Sequence, residues 1–264
     1  MIHPPTAAHV VHPAAAAAWG SSSQPGLVSN RCAATPDMPS TIPAGPFSVN
    51  ESCIVFDWDD TLFPSSFVDR RKLIHARHVE DLPEELQQGF KDLEKIIARL
   101  INTASKYATV LIITNAQTGW VELCASKFMP SLLDLLAGSV RVVSARSSFE
   151  KFFPGDPLCW KAATFAHELH QLQKTKDTVL RNIISFGDSI EERTSVKIAA
   201  SQLRARSKSI KFLDAPTFQQ LHQELEVVTN CLEWIWKHSG DLDVVLTLEA
   251  NSSNNGGETS PRSN

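Results

Sequence analysis

No apolar run in this 264-residue chain reaches the length that crosses a bilayer, so a membrane partner is not expected. Positive charge is not in excess either. The net charge is -4, which leaves no global basic field, and no nucleic-acid partner is expected. Five cysteines (Cys32, Cys53, Cys124, Cys159 and Cys231) form no CxxC pair and lie mostly in apolar contexts. That argues against a disulfide framework and for reduced, buried thiols of an intracellular, cytoplasmic protein. Neither GxxxxGK[ST] nor GxGxxG occurs, which removes the two common glycine-rich phosphate cradles. Basic residues are nearly missing from the start of the chain. Arg31 is the only Lys or Arg before residue 49, and the segment is rich in Ala, Pro and Ser. It has no charged start or long apolar core of a secretory signal and is a weak match to a transit peptide, though an organelle-targeting role stays open. Residues 1–48 are therefore expected to be a disordered leader, residues 251–264 a disordered Ser/Asn/Gly tail, and residues 49–250 the folded domain.

What the domain does contain is an apolar run ending in an acidic cluster, Cys53-Ile-Val-Phe-Asp57-Trp-Asp59-Asp-Thr61. Such a run reads as a buried strand that delivers its last residues to a sheet edge. Further strands are expected at Thr109 to Ile113, Val140 to Ser144, Asn182 to Phe186 and Ser209 to Leu213, and Asp243 to Leu248 is a candidate edge strand. Helices fit 84–101, 119–128, 157–172, 190–203 and 216–237; the first carries the stripe Leu86, Phe90, Leu93, Ile97, Leu100. This alternation predicts an α/β fold, a Rossmann-like three-layer α/β/α sandwich around a parallel sheet.

Four points of that topology fall on one sheet edge: Asp57 and Asp59 after the first strand, Thr114-Asn115 after the second, Lys161 at the start of the helix before the fourth, and Asp188 with Glu191 and Glu192 after it. Phosphoryl transfer wants such a set. One carboxylate attacks phosphorus and a second shuttles the proton. A hydroxyl and an ammonium hold the equatorial oxygens, and a hard divalent cation sits among the acids.

The four segments resemble the motifs of the haloacid dehalogenase (HAD) superfamily of phosphohydrolases, over about residues 50–215. Asp57-Trp-Asp59-Asp-Thr61 is similar to DxDx[TV], Thr114 and Lys161 to the second and third motifs, and Gly187-Asp188-Ser-Ile-Glu-Glu192 to GDxxx[DE]. The resemblance implies strand order 5-4-1-2-3, Asp57 as nucleophile and Asp59 as general acid/base. It further implies Thr114, Asn115 and Lys161 against the phosphoryl group. Mg²⁺ would be held by Asp57, the Asp59 carbonyl and Asp188, with Glu192 in support; Glu191 competes with Glu192 for that place. The implied activity is a Mg²⁺-dependent phosphatase working through an aspartyl-phosphate. The alternatives are a phosphotransferase or mutase acting on a small phosphometabolite, or a non-catalytic binding module that keeps the fold.

Cap insertions set specificity in proteins of that kind. Here 63–82 has room for a turn and one short helix, and 145–157 for a short loop. A minimal cap leaves an open site, suited to a macromolecular phosphoester, a phosphorylated protein among them; the oligomeric state is left open. Arg70-Arg71-Lys72 and Arg193 are read as solvated or as steering an anion. Arg204-Ala-Arg206-Ser-Lys208 is read as the charged end of a helix. His75/His78 and His167/His170 are read as surface histidines of helices. Trp58 and Trp120 are candidates for the site entrance, and Trp234 and Trp236 for core or an apolar docking face.

Overall fold

The computed structural model describes residues 8–11 and 47–248. The disorder expected of 1–48 and 251–264 falls, apart from residues 8–11 and 47–48, outside the described residues. In chain order the elements are β1 (Ala8–Val11), β2 (Ser52–Phe56), α1 (Ser65–Arg70), α2 (Glu84–Ala104), β3 (Thr109–Thr114), α3 (Trp120–Phe128), α4 (Leu133–Ser139) and β4 (Arg141–Ser144). After them come α5 (Ala145–Phe149), α6 (Pro157–Lys176), β5 (Asn182–Gly187), α7 (Ile190–Leu203), β6 (Arg206–Lys211), α8 (Phe218–Lys237) and β7 (Leu242–Leu248). One sheet runs β1-β7-β6-β5-β2-β3-β4. Strands β2 to β7 are parallel, and β1 pairs antiparallel with β7. The α/β sandwich expected from the alternation is thus present.

β2 is central because nothing in Cys53-Ile-Val-Phe needs water. Its side chains alternate between faces, as a strand requires. Ile54 and Phe56 join the core under α2, α3 and α8, while Cys53 and Val55 join a second core under α6 and α7. The Cys53 thiol is fully enclosed, and burial pushes it up to about 12. α2 begins behind Pro83 with Glu84 and Glu85 in its first turn, which complements the helix dipole. It buries Phe90, Leu93, Ile97, Leu100 and Ile101, a stripe at helical spacing; truncating one such Leu or Ile to Ala costs roughly 2–5 kcal/mol.

Register matters most for the site. Phe56 stands level with Ile112 of β3 and Phe186 of β5, so Asp57, Thr114 and Asp188 emerge together at the carboxyl edge. α6 starts where Asp156 accepts from the Cys159 N–H and Pro157 fills the first turn.

Three expectations need correction. The fifth strand spans Arg206–Lys211 rather than 209–213: α7 stops at Leu203, Arg204 takes a left-handed cap, and Lys208 is a buried strand residue instead of a helix-end charge. β7 is no edge, because β6 and β1 flank it. The loop 145–157 is partly helical, as α5. The flap after β2 holds α1 and two 3₁₀ turns, close to the short insert expected.

Candidate functional site

Asp57 leaves β2 with its N–H still bonded to the Phe186 carbonyl at 2.9 Å, which fixes the side chain at the strand end. Lys161, on the fifth residue of α6, is 1% exposed. Its Nζ lies 2.7 Å from Asp57 Oδ1 and 2.5 Å from Glu192 Oε1. One ammonium serves two carboxylates in a dry place, where the ions lose hydration and must recover it from each other. Burial pushes Asp57 well above the usual carboxylate range; Lys161 opposes this, and Glu192 and Asp59 add to the rise. Burial also works against ionised Glu192, but Lys161 and the Ser189 hydroxyl outweigh it and bring Glu192 below its ordinary value. The single ammonium is thus shared between Asp57 and Glu192. Lys161 itself is pulled down by burial and up by more by Asp57 and Glu192, so it stays charged.

Asp188, half-buried after β5, is pushed up to about 7 by burial, Glu192 and Asp60, with Lys161 opposing. One oxygen each from Asp57, Asp188 and Glu192 lie within 4.8 Å of one another, the one such group among the described residues. Three carboxylates against one ammonium leave two negative charges when all are ionised. All-oxygen donors and that charge deficit fit a hard divalent cation.

Glu192 carries a second duty. It closes a capping box with Ser189 at the start of α7, accepting from the Ser189 N–H at 3.1 Å and from its hydroxyl. Glu192 rather than Glu191 thus joins the cluster while also capping α7. Gly187 permits this approach: a Cβ there would lie 2.3 Å from Glu192 Cγ.

Asp59 is held by three donors. Ser65 Oγ (2.5 Å) and Trp120 Nε1 (2.8 Å) share Oδ1, and Thr114 Oγ1 takes Oδ2 at 2.9 Å. Thr114 also accepts from the Ala116 N–H, while the residue that caps α3 is Gly119. The turn that brings Asp59 here is tight, with Asp60 at φ 51° and the Trp58 carbonyl accepting from Thr61, Leu62 and Phe63. Comparison with known proteins finds no matching family model, no matching characterised sequence and no matching solved structure.

Asp57, Asp59, Thr114, Lys161, Asp188 and Glu192 thus meet at one edge. Asn115 stands apart: its amide reaches the Pro157 carbonyl at 3.4 Å, and its side-chain oxygen is buried without a hydrogen-bond partner. Trp58 does not line an entrance; it is fully buried and stacked on Phe63. The steering arginines are otherwise engaged. Arg193 forks onto Asp243 at 2.7 and 2.8 Å, Arg70 reaches the Ala215 carbonyl at 3.5 Å, and Arg71 lies over Phe67. Ser65 and Ser189 were not foreseen. Their only signal in sequence is closeness to the acidic motifs.

Two hollows adjoin the cluster. The larger, about 640 Å³, runs beside edge strand β4 and meets these residues only at Thr114. The smaller, about 280 Å³, is lined by none of the six; it meets the cluster through Ser65 and Trp120, the two donors to Asp59 Oδ1, with four neighbours. Size favours the first and chemistry the second.

Proposed function

We propose that this protein is a Mg²⁺-dependent phosphohydrolase that forms an aspartyl-phosphate on Asp57. The observation that carries the reading is the Lys161 ammonium held between Asp57 and Glu192, with Asp188 completing a carboxylate trio short of positive charge. The order β6-β5-β2-β3-β4 supports it, being the order implied by the resemblance to HAD phosphohydrolases. So does Asp59, two residues beyond Asp57 and fixed by Thr114.

Asp57, Asp188 and Glu192 would hold the ion, which supplies positive charge to the ionised nucleophile and the transferring phosphoryl group. An Asp57 carboxylate oxygen attacks phosphorus, the bond to the leaving oxygen breaks, and Asp59 gives that oxygen its proton. Asp59 then takes a proton from a water whose oxygen attacks the same phosphorus. The bond to Asp57 breaks, inorganic phosphate departs and the carboxylate is restored. Lys161 steadies the charge that spreads over the phosphoryl oxygens, and the Thr114 hydroxyl joins it on turning from Asp59. The flap leaves the site without a large lid, so water reaches the intermediate and hydrolysis is favoured over transfer to an alcohol.

The test is phosphate release from an aryl phosphate with Mg²⁺ or with EDTA, for the native chain and for Asp57→Asn. Release that needs Mg²⁺ and vanishes in the variant is the expected result. An Asp57→Asn enzyme as active as the native chain would end the covalent mechanism.

A further inference from the structure

We infer that the smaller hollow seats the leaving group, and that it selects phosphomonoesters of uncharged, ring-bearing alcohols, aryl phosphates above all. The inference rests on the phosphohydrolase reading, because it takes Asp59 as the group that protonates the leaving oxygen.

The hollow is lined by Ser65, Ser66, Val68, Asp69, Ile74 and Trp120. Ser65 and Trp120 both donate to Asp59 Oδ1, so the wall of the hollow is built from the acid's own partners. Asp59 itself does not line the hollow, so a leaving oxygen meets it past these two side chains, with its carbon skeleton against the Trp120 indole. Val68 and Ile74 complete an apolar wall. At about 280 Å³ the space is at the lower limit of small-molecule pockets, roughly 300–1,000 Å³, which suits one ring. An aromatic ring facing an indole gains from offset or edge contact as well as from burial.

Charge narrows the class further. The one formal charge in the lining is the exposed Asp69 carboxylate, which repels a leaving group that carries a carboxylate or a second phosphate. The nearby cations lie outside the lining, and Lys127 among them donates to the Ile74 backbone carbonyl. Arg70 points to the Ala215 carbonyl and Arg71 lies on Phe67, and neither lines the hollow.

The experiment compares kcat/KM for phenyl phosphate, 4-carboxyphenyl phosphate and methyl phosphate in the native chain, Asp69→Lys and Ile74→Trp. The native chain prefers phenyl over 4-carboxyphenyl phosphate by about tenfold, and Asp69→Lys inverts that preference. Ile74→Trp fills the hollow and lowers the phenyl-to-methyl ratio by about tenfold. Ratios within one variant cancel any loss of folded enzyme. A tyrosyl phosphate in a short peptide, set against phenyl phosphate, tells a polypeptide source of the ring from a free phenol; faster turnover of either upholds the ring site. Turnover of all three small esters with ratios the same in every chain would overturn the leaving-group site and leave the phosphohydrolase standing. No turnover of any ester by folded native chain with Mg²⁺ would overturn both.

Discussion

Lys161 and Lys208 are buried alike, at 1% and 0% exposure, yet their surroundings part them. Lys161 meets carboxylates and keeps its charge. Lys208, on β6, meets the Ile235 and Trp236 carbonyls at 2.8 and 2.9 Å, with the Phe47 ring 4.9 Å away. Those carbonyls belong to the last turn of α8, which has no further turn to bond them. The ammonium is thus a buried cap on a helix C-terminus, where the dipole favours a cation. Burial nevertheless pushes Lys208 down to about 7, with Asp241 opposing and Arg206 adding to the fall. A buried cation whose partners are acids short of charge is, on the proposed reading, part of a site. When its partners are carbonyls it marks the closing of a helix.

Lys161→Met breaks the comparison most severely. Two buried carboxylates lose their ammonium, and truncating one partner of a buried pair costs about 3–5 kcal/mol. Urea unfolding is expected to show that loss, and phosphate release to fall by about 10³-fold or more. Undiminished release would take Lys161 out of the mechanism.

The pH response sharpens it next. Lys208 titrates near 7 when folded and near 10.5 when unfolded. Between those values the unfolded chain holds a proton that the folded chain has released. Stability therefore rises with pH from about 7 to about 10.5 and is flat in this respect on either side, at up to about 1.4 kcal/mol per unit. Lys208→Met is expected to remove that slope in denaturant titrations run at pH 7, 8 and 9. An identical slope in native chain and variant would assign it to other groups.

Gly187→Ala removes no functional group, yet its methyl meets Glu192 at 2.3 Å. Overpacking of that kind costs roughly 1–3 kcal/mol, and displacing Glu192 from Lys161 should lower phosphate release along with stability. A fully active alanine variant would show that the Glu192 contact is dispensable.

The smallest expected effect is on metal binding without turnover. Mg²⁺ should raise the native Tm by a few degrees through preferential binding to the folded state, and Asp188→Asn should shrink that rise. An equal rise in both chains would place the ion elsewhere.

Much of this site was legible because strands ending in acids advertise themselves: Cys53 to Asp59 and Ile183 to Asp188 each join an apolar run to a carboxylate. Lys161 was legible only in company with them. The partners of Asp59 were not. Trp120 is 61 residues away in sequence, and no local pattern says that its N–H meets that carboxylate. Lys208 was misread because its run alternates basic and small residues, which looks solvated until β5 and β7 are seen on either side. Glu224 carried no signal of its own in the sequence. It lies on the inner face of α8, accepts from the Leu213 N–H at 2.8 Å, and is pushed up to about 8 by burial. On a helix, one turn separates a solvated glutamate from a buried one.

The fully enclosed Cys53 gives the central strand a built-in clock. A thiol held near 12 and out of reach of solvent offers almost no thiolate to an alkylating reagent. Its modification rate at neutral pH then counts openings of β2, the strand that carries Asp57, rather than events at the surface. A ligand that steadies the carboxyl edge would slow that clock, so alkylation timing can register occupancy of the site with no turnover at all.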